Sequence, residues 1–473
     1  MKRLTKRSRT LRRPRAALGA LVLASGLAAH GTAARADQAA DPAAATTAEP
    51  ASPAAEGTDD QPARYSLHFQ GTYTTMGHPR FSSSIPDGPQ SMKAQEQMAE
   101  TADVTMFAGL RLGALELYFN PEMDQGFGPS NTFGVAGYPT AEAYKLGQYA
   151  PYYRTQRLFG RYVLGLGGAR EAVEDGPNQI AGSRDADNVT FTFGKFSVVD
   201  IFDTNSYAHD PRADFLNWSM VDMGAFDYAG DAWGYTYGGA AEWNQSWWTL
   251  RGGVFDMSRQ PGNKYLTRGF GQYQAVTEAE ERHQIGGNPG KVKALFFLTS
   301  ADMGSYADAV DLYNQTGAGP DTGLVRHHQL QPGGGINLEQ QIMPGLGSFL
   351  RASMNSGTRE TFDFTDIHRS LSGGLSLKGD RWDRPDDTVG LGGAINAISS
   401  VAHRYFADGG TGVLIGDGQL PSFASEKVIE AYYKATVVSG IAVSMDYQHL
   451  VDPAYDAARG PIDFFAVRLH AEY

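Results

Sequence analysis

The end of the chain carries the pattern that most restricts its fold. Residues 462–473 read IDFFAVRLHAEY, and the alternate apolar positions are Phe465, Val467, Leu469, Ala471 and Tyr473. Arg468, His470 and Glu472, which alternate with Val467, Leu469, Ala471 and Tyr473, are charged or titratable. Because alternate side chains of a strand point to opposite faces, one face can meet lipid and the other water. A final strand that ends on an aromatic residue is typical of transmembrane β-barrels, although a half-buried strand of a soluble protein shows the same alternation.

The start of the chain indicates export. Eight lysines and arginines lie within positions 2–15, an apolar stretch runs from Ala17 to Ala29, and Ala34-Arg-Ala36 fits a cleavage site. These features are typical of a secretory signal peptide. We therefore interpret residues 1–36 as a signal peptide. Residues 37–64 are rich in Ala, Pro, Thr and Glu, which predicts a disordered periplasmic segment. Residues 65–473 then form one barrel domain.

Composition excludes several classes of function. Cleavage after residue 36 lowers the lysines and arginines from 40 to 31, against 52 aspartates and glutamates, so nucleic acid is not an expected partner. The sequence has no cysteine, and therefore neither disulfides nor thiol ligands. No apolar run near the ~18 residues of a spanning helix follows the signal peptide. A barrel keeps a soluble-like hydropathy because half of each strand faces water.

Tight turns divide the alternating sequence into hairpins. Three such turns are Gly113-Ala114, Met343–Leu346 and Ser439-Gly440. If the C-terminus is periplasmic, the last of these turns is periplasmic too, and the longer connection at 451–461 lies outside, as in outer-membrane barrels. The sequence thus predicts an all-β transmembrane antiparallel β-barrel. One segment, Ala275–His283, is interpreted as a short loop helix.

One central stretch resembles a known protein family. Residues 191–203 read FTFGKFSVVDIFD, and the chain continues with NSYAHDPR at 205–212, FLNWS at 215–219 and GAFDY at 224–228. This stretch closely resembles the carbohydrate-selective outer-membrane porins of the OprB type, and the similarity extends to the final strand. The resemblance implies 16 antiparallel strands that conduct sugars passively across the outer membrane of a Gram-negative bacterium. It also implies that the barrel insertion machinery reads the final strand.

The segment after Val199 carries the first set of candidate sugar-contacting side chains. Neutral sugars present hydroxyl groups and flat C–H faces, so a selective channel needs polar groups and aromatic rings that bind weakly. The candidates are Asp200, Asp203, Asn205, Tyr207, His209, Asp210, Arg212, Asn217 and Trp218. A loop folded inward would narrow the pore with these groups. In the alternative interpretation, the same acid–base pairs brace the barrel wall.

A second set lies on the polar face of the predicted strands. Its members are Arg111, Glu116, Thr249, Arg251, Glu339 and Arg351. A charge on the lipid face near the midplane costs roughly 2–4 kcal/mol, so these side chains are expected to face the lumen. We expect most of them to form a hydrogen-bonded ladder, with Arg251, Glu339 and Arg351 beside the sugar path.

No motif indicates catalysis, a metal or a cofactor. His327 and His328 are adjacent, so they point to opposite faces of a strand, and no third ligand follows nearby. Neither a G-x-S-x-G motif nor a Walker loop is present. The alternatives to a sugar porin are a porin for carboxylates or general diffusion, and an enzyme or receptor on a barrel scaffold. The sequence fits a monomer or a homotrimer in outer-membrane lipid.

Overall fold

The computed structural model describes residues 63–142 and 147–473, which form sixteen strands and three α-helices. The strands are β1 (Tyr65–His78), β2 (Gln97–Leu112), β3 (Leu115–Gly126), β4 (Tyr152–Val173), β5 (Gly182–Phe196), β6 (Thr236–Asn244), β7 (Trp248–Asp256), β8 (Tyr273–Ile285), β9 (Asn288–Met303), β10 (His327–Met343), β11 (Leu346–Asn355), β12 (Arg369–Gly379), β13 (Arg384–Ala397), β14 (Glu426–Val438), β15 (Ile441–Val451) and β16 (Ile462–Glu472). The helices are α1 (Trp218–Val221), α2 (Tyr306–Thr316) and α3 (Ser400–Ala407). None of these three helices is long and apolar enough to cross a membrane. The predicted signal peptide, and all but the last two residues of the predicted segment 37–64, lie outside the described residues.

Each strand pairs with its sequence neighbours, and β1 pairs with β16, so the sheet closes into a barrel. The closing register runs from Gln70 opposite Glu472 to Gly77 opposite Phe465. Beyond it, Phe69 and Tyr473 exchange two backbone hydrogen bonds, of 2.9 and 2.8 Å. Closure leaves no unpaired edge, which a sheet in lipid requires. The predicted antiparallel barrel of sixteen strands is confirmed.

The two ends of the barrel differ in the length of their connections. At one end the predicted turns at Gly113-Ala114 and Ser439-Gly440 join their strands directly. At the other end the connections span residues 127–151, 197–235 and 398–425, among others. In outer-membrane barrels the short turns face the periplasm. We therefore call the short-turn end the periplasmic end, and the opposite one the outer end.

Side chains alternate across the wall as the pattern of the last strand predicts. Phe465, Val467 and Leu469 are exposed on the outside of the barrel, whereas Arg468 between them is 1% exposed and faces inward. The same alternation places Arg251 and Arg351 inside, where both are buried. The charged residues are thereby kept out of lipid.

The segment Ala275–His283 is a strand, not the helix that its alanines and glutamates suggest, because it lies within β8. Its Glu278 and Glu280 both face the lumen, and each accepts a hydrogen bond of 2.8 Å from Arg251 on the neighbouring strand β7. Backbone hydrogen bonds to the neighbouring strands and these ion pairs stabilise the strand. They outweigh the helix propensity of the segment, which is a weak preference. The prediction of a loop helix was wrong.

The hydrophobic core lies inside the barrel, because connections at the outer end fold into the lumen. The connection at 197–235, which we call the inward loop, is buried along most of its length. Its Tyr228 stacks on Phe364 from the β11–β12 connection, with ring centroids 4.5 Å apart, and its Trp218 stacks on Tyr138 at 5.3 Å. Aromatic packing therefore fixes several connections against one another. Much of the lumen is therefore filled by these connections.

Candidate functional site

The inward loop is fixed to the barrel wall by a buried ion pair. Asp203 of the loop and Arg351 of β11 are 0% and 1% exposed, and the Arg351 Nε lies 3.1 Å from the Asp203 Oδ1. The same guanidinium donates to the main-chain oxygens of Asp203 and Met220, at 3.1 and 2.7 Å. Asn337 of β10 donates to the Asp203 carboxylate at 2.7 Å. These contacts hold the start of the loop against β10 and β11.

Further polar contacts attach the loop to other strands. Glu339 of β10 accepts hydrogen bonds from the Ser206 nitrogen and hydroxyl, at 2.8 and 3.0 Å. Asn205 donates to the Asn337 side chain at 2.7 Å. Asn217 donates to Gln448 of β15 at 3.0 Å. The loop is thus held by strands on several sides of the barrel, as a fixed part of the lumen.

The structure places several of the candidate residues in this attachment, where they contact the barrel wall or the core. Asp203 and Asn217 are fully buried, and Trp218 is 2% exposed within the aromatic cluster. Tyr207 covers Gly347, where a β-carbon would come within 1.9 Å of the Tyr207 ring. These side chains, together with Asn205, Glu339 and Arg351, hold the loop in position.

Unlike Arg351, which binds the inward loop, Arg251 has its partners on the barrel wall. Its guanidinium contacts Glu242 at 3.0 Å, and Glu278 and Glu280 at 2.8 Å each. The expected ladder of wall residues is present here. Arg111 and Glu116, which pair at 2.7 Å near the periplasmic end, form a second part of it.

The remaining candidates, Asp200, His209, Asp210 and Arg212, are partly exposed. Arg212 has a side chain 19% exposed and contacts three carboxylates: Asp103 at 3.3 Å, Glu122 at 3.6 Å and Glu142 at 3.5 Å. Asp210 accepts a hydrogen bond of 2.9 Å from the Arg212 nitrogen. The structure therefore brings a loop cation to a group of acidic side chains on β2, β3 and the β3–β4 connection.

Two other candidates have ion-pair partners of their own. Asp200 accepts two hydrogen bonds from Arg157 of β4, at 2.5 and 2.7 Å, and its side chain is 27% exposed. His209 lies 3.4 Å from Asp222. Both pairs give this part of the loop surface a polar character without a large net charge.

Three arginines of β4 extend this polar surface along the barrel wall. The Arg154 guanidinium lies 3.3 Å from the ring centre of Trp233, and Arg157 lies 5.0 Å from that of Tyr235. Arg161, nearer the periplasmic end, lies 5.1 Å from the ring of Tyr118. Both Trp233 and Tyr235 belong to the inward loop, so the wall and the loop form the surface jointly.

These arginines were missed in the sequence because a bulge interrupts the alternation of β4. The register with β3 shifts between Asn120 and Pro121, which leaves Gln156 as an additional residue. Arg154 and Gln156 face the lumen above the bulge, and Arg157 faces it immediately below. A two-residue period cannot assign both arginines to one face. The signal available in the sequence was the concentration of arginines within 154–161.

A cavity lies where the loop and the arginine-bearing wall meet. Acidic, basic and aromatic side chains line it together: Glu122, Asp124, Glu142, Arg212, Trp233 and Tyr235. Tyr152 also borders it, and its hydroxyl accepts a hydrogen bond of 2.8 Å from the Trp233 indole. The aromatic rings provide apolar faces, and the charged groups provide both donors and acceptors. This combination suits a ligand that has hydroxyl groups and C–H faces.

Burial and neighbouring charges set the protonation of the loop groups. Burial lowers the pKa of Arg212, but the carboxylates around it outweigh this effect and raise the pKa well above its usual range. Burial raises the pKa of Glu142 well above its usual range, and the nearby Arg212 opposes this effect. Burial lowers the pKa of His209, but Asp222 outweighs burial and raises the pKa to about 9. His209 is therefore a cation at neutral pH.

Within residues 63–142 and 147–473, no group of three or more acidic or histidine side chains is arranged to hold a metal ion. His328, one of the two adjacent histidines, lies 3.4 Å from Asp302 in an exposed position.

A comparison with curated protein sequences returned no match. Among solved structures, Pseudomonas putida OprB is similar to this chain with a TM-score of 0.66 and 15% identity, over 87% of this chain and 94% of that one. At this identity the likeness shows the fold alone. The outer-membrane channel DcaP of Acinetobacter baumannii gives a TM-score of 0.45 at 10% identity, over 87% of this chain and 98% of that one.

The family described as carbohydrate-selective porin, OprB family, matches residues 90–473, which is most of the chain. The matched region begins shortly before β2 and includes the inward loop and the whole arginine-bearing wall. The chain therefore belongs to the OprB family of carbohydrate-selective porins.

Proposed function

We propose that this porin conducts small sugars of the glucose type passively, along a path between the inward loop and the inner face of β4. The observation that carries the proposal is the joint surface of Trp233, Tyr235 and the arginines Arg154 and Arg157, beside a lined cavity. Trp233 is half-buried and offers an apolar edge to sugar C–H groups, with Tyr235, 8% exposed, packed behind it. The paired guanidinium and carboxylate groups offer hydrogen bonds to hydroxyls.

Weak binding follows from the way these charges are already satisfied. Arg157 is held by Asp200, and Arg154 donates to Asp231 at 2.5 Å. A sugar hydroxyl therefore exchanges hydrogen bonds with groups that have partners, and it gains little net free energy. A channel needs such modest binding, because a tightly held solute would not leave.

The same pairing argues against a channel for carboxylates, which is the nearest alternative. A path that concentrates anions needs unneutralised positive charge. Here the Arg212 guanidinium is surrounded by Asp103, Glu122 and Glu142. We propose accordingly that neutral solutes are preferred, and that the barrel acts as a channel rather than an enzyme.

The outward apolar rows fit a location in outer-membrane lipid of a Gram-negative bacterium. Phe465, Val467 and Leu469 form one such row on β16. We propose that this row is also the part of the chain that the barrel insertion machinery reads.

The experiment compares two tryptophan variants in planar lipid bilayers. Trp233→Ala removes a ring of the proposed path, and Trp247→Ala removes an exposed ring in the periplasmic turn between β6 and β7. Unitary conductance is measured with increasing glucose and, separately, with acetate. We expect glucose to block the wild-type channel and its half-saturation concentration to rise only in Trp233→Ala. An absence of glucose block in the wild type, or a stronger effect of acetate, would refute the proposal.

A further inference from the structure

The connection between β4 and β5 departs from the short periplasmic turns of the rest of the barrel. Pairing of β4 with β3 ends at Tyr162, opposite Leu115, yet β4 continues to Val173. Pairing of β5 with β6 begins only at Asn188, opposite Asn244. Residues 163–187, which we call the periplasmic hairpin, therefore leave the barrel wall as a two-stranded ribbon.

The periplasmic hairpin is bent by irregular pairing. Its register shifts between Gly165 and Gly167, and again between Gly167 and Arg170. Gly167 and Gly168 have φ values of +102° and +85°, which side chains with a β-carbon rarely adopt. Bulges bend a ribbon and increase its local twist. The bend allows the tip, residues 174–181, to return to the inner wall of the barrel.

Backbone carbonyls of the tip are held by arginines of the wall. Arg111 of β2 donates to the main-chain oxygens of Ile180 and Ala181, at 2.7 and 2.8 Å. Arg161 of β4 donates to the main-chain oxygen of Asn178 at 2.9 Å. Hydrogen bonds from charged donors are stronger than those from neutral ones. The tip is thus fixed by two separate cations.

Two further contacts extend the attachment. Ile180 is 1% exposed, and a β-carbon on Gly109 of β2 would stand 3.1 Å from its Cγ1, so the glycine makes room for this side chain. His68 of β1 lies 3.0 Å from the Asp175 carboxylate. The contacts therefore reach β1, β2 and β4, all on the arginine-bearing side of the lumen.

We propose that the tip of the periplasmic hairpin forms a second narrowing of the channel, at its periplasmic exit. This inference rests on the path proposed above, because Arg161 follows Arg154 and Arg157 along the inner face of β4 and itself binds the tip. A sugar that moves along Arg154 and Arg157 arrives next at the tip. Two narrow sections then lie in series, one made by the inward loop and one by the hairpin.

The direct test shortens the tip. Deletion of residues 176–179 removes the Asn178 carbonyl. It also shortens the tip, so that Ile180 no longer reaches Gly109. We expect unitary conductance in salt alone to rise by roughly 1.5-fold or more, since a series resistance is removed. The matched control is Arg170→Ala, which breaks an exposed pair with Asp185 in the same hairpin and should leave conductance unchanged. Wild-type conductance in the deletion variant would overturn the proposal.

A second measurement locates the tip without shortening it. The chain has no cysteine, so His68→Cys together with Asp175→Cys creates one defined pair. A short bis-methanethiosulfonate reagent should bridge the pair in the folded barrel almost completely, with conductance kept at the wild-type value. Absence of the bridge would place the tip away from the wall and overturn the proposal. Failure of the sugar path is seen separately, as missing glucose block in the wild type.

Discussion

Replacing Arg351 by Met tests whether the buried ion pair holds the inward loop in the lumen. Every contact described above for this guanidinium is with the loop: the Asp203 carboxylate at 3.1 Å, and the main-chain oxygens of Asp203 and Met220. After the substitution, the Asp203 carboxylate stays buried without its cation. Such a loss destabilises a structure by about 3–5 kcal/mol.

This free energy is lost from the attachment of the inward loop, because the strands keep their own backbone hydrogen bonds. About 3–5 kcal/mol corresponds to roughly 10²–10⁴-fold in the ratio of attached to detached loop. We expect a noisier open-channel current, a higher unitary conductance and a higher glucose half-saturation in Arg351→Met. Heat-modifiable migration in gels should show that the barrel itself remains closed.

The double variant Asp203→Asn with Arg351→Met separates charge burial from lost packing. Removing both charges of a buried pair is often neutral, so the double variant should recover much of the wild-type conductance and current noise. The control is Arg170→Met, whose pair with Asp185 is exposed to solvent and therefore screened. Wild-type behaviour of Arg351→Met, or a double variant as perturbed as the sum of the single ones, would refute this reasoning.

Four other predictions concern the inward loop and the last residue of the sequence. Arg212→Ala should alter glucose half-saturation in bilayers with the barrel intact, whereas Trp218→Ala should loosen the loop by about 3–5 kcal/mol through lost packing and increase current noise. The pKa of His209 is raised to about 9 in the folded chain. The stabilisation from its charged form is therefore complete below about pH 6.5 and is lost as the pH rises through about 9. The noise of the open-channel current should increase over that interval. The increase should be smaller in His209→Gln, which has no titratable ring. Deletion of Tyr473 should reduce the amount of folded barrel in membranes and leave glucose flux per inserted channel unchanged, and an altered flux with normal insertion would contradict this.

The barrel wall could be predicted from the sequence because its physics is local. In β16 the lipid-facing side chains Phe465, Val467 and Leu469 alternate with inward ones, and this period is visible without knowledge of the fold. The turn at Ser439-Gly440 was equally visible, since a two-residue connection leaves few conformations. Ala275–His283 was misassigned because local propensity favoured a helix, whereas the ion pairs of Glu278 and Glu280 with Arg251 form only once β7 lies alongside.

The site could be predicted only in part, because the sequence does not show which side chains of the inward loop point to the wall and which to the solute. Trp218 has the residue type expected of a sugar platform, yet it packs on Tyr138 and is 2% exposed. Trp233, outside the predicted segment, instead borders the cavity. Density of polar and aromatic residues thus identified a loop that folds into the lumen, while the positions of its individual side chains depend on long-range packing.

The bulge in β4 determines where this strand tolerates a change of length. Because Gln156 is the additional residue, its deletion would restore regular pairing while Arg154 above it and Arg157 below it still face the lumen. Deleting one residue elsewhere in the strand would instead turn one group of these side chains toward lipid, at roughly 2–4 kcal/mol for each arginine near the midplane. Position 156 is therefore where β4 can lose one residue and keep its arginines on the inner face, although the hydrogen bond of 2.8 Å from Gln156 to Glu122 is lost.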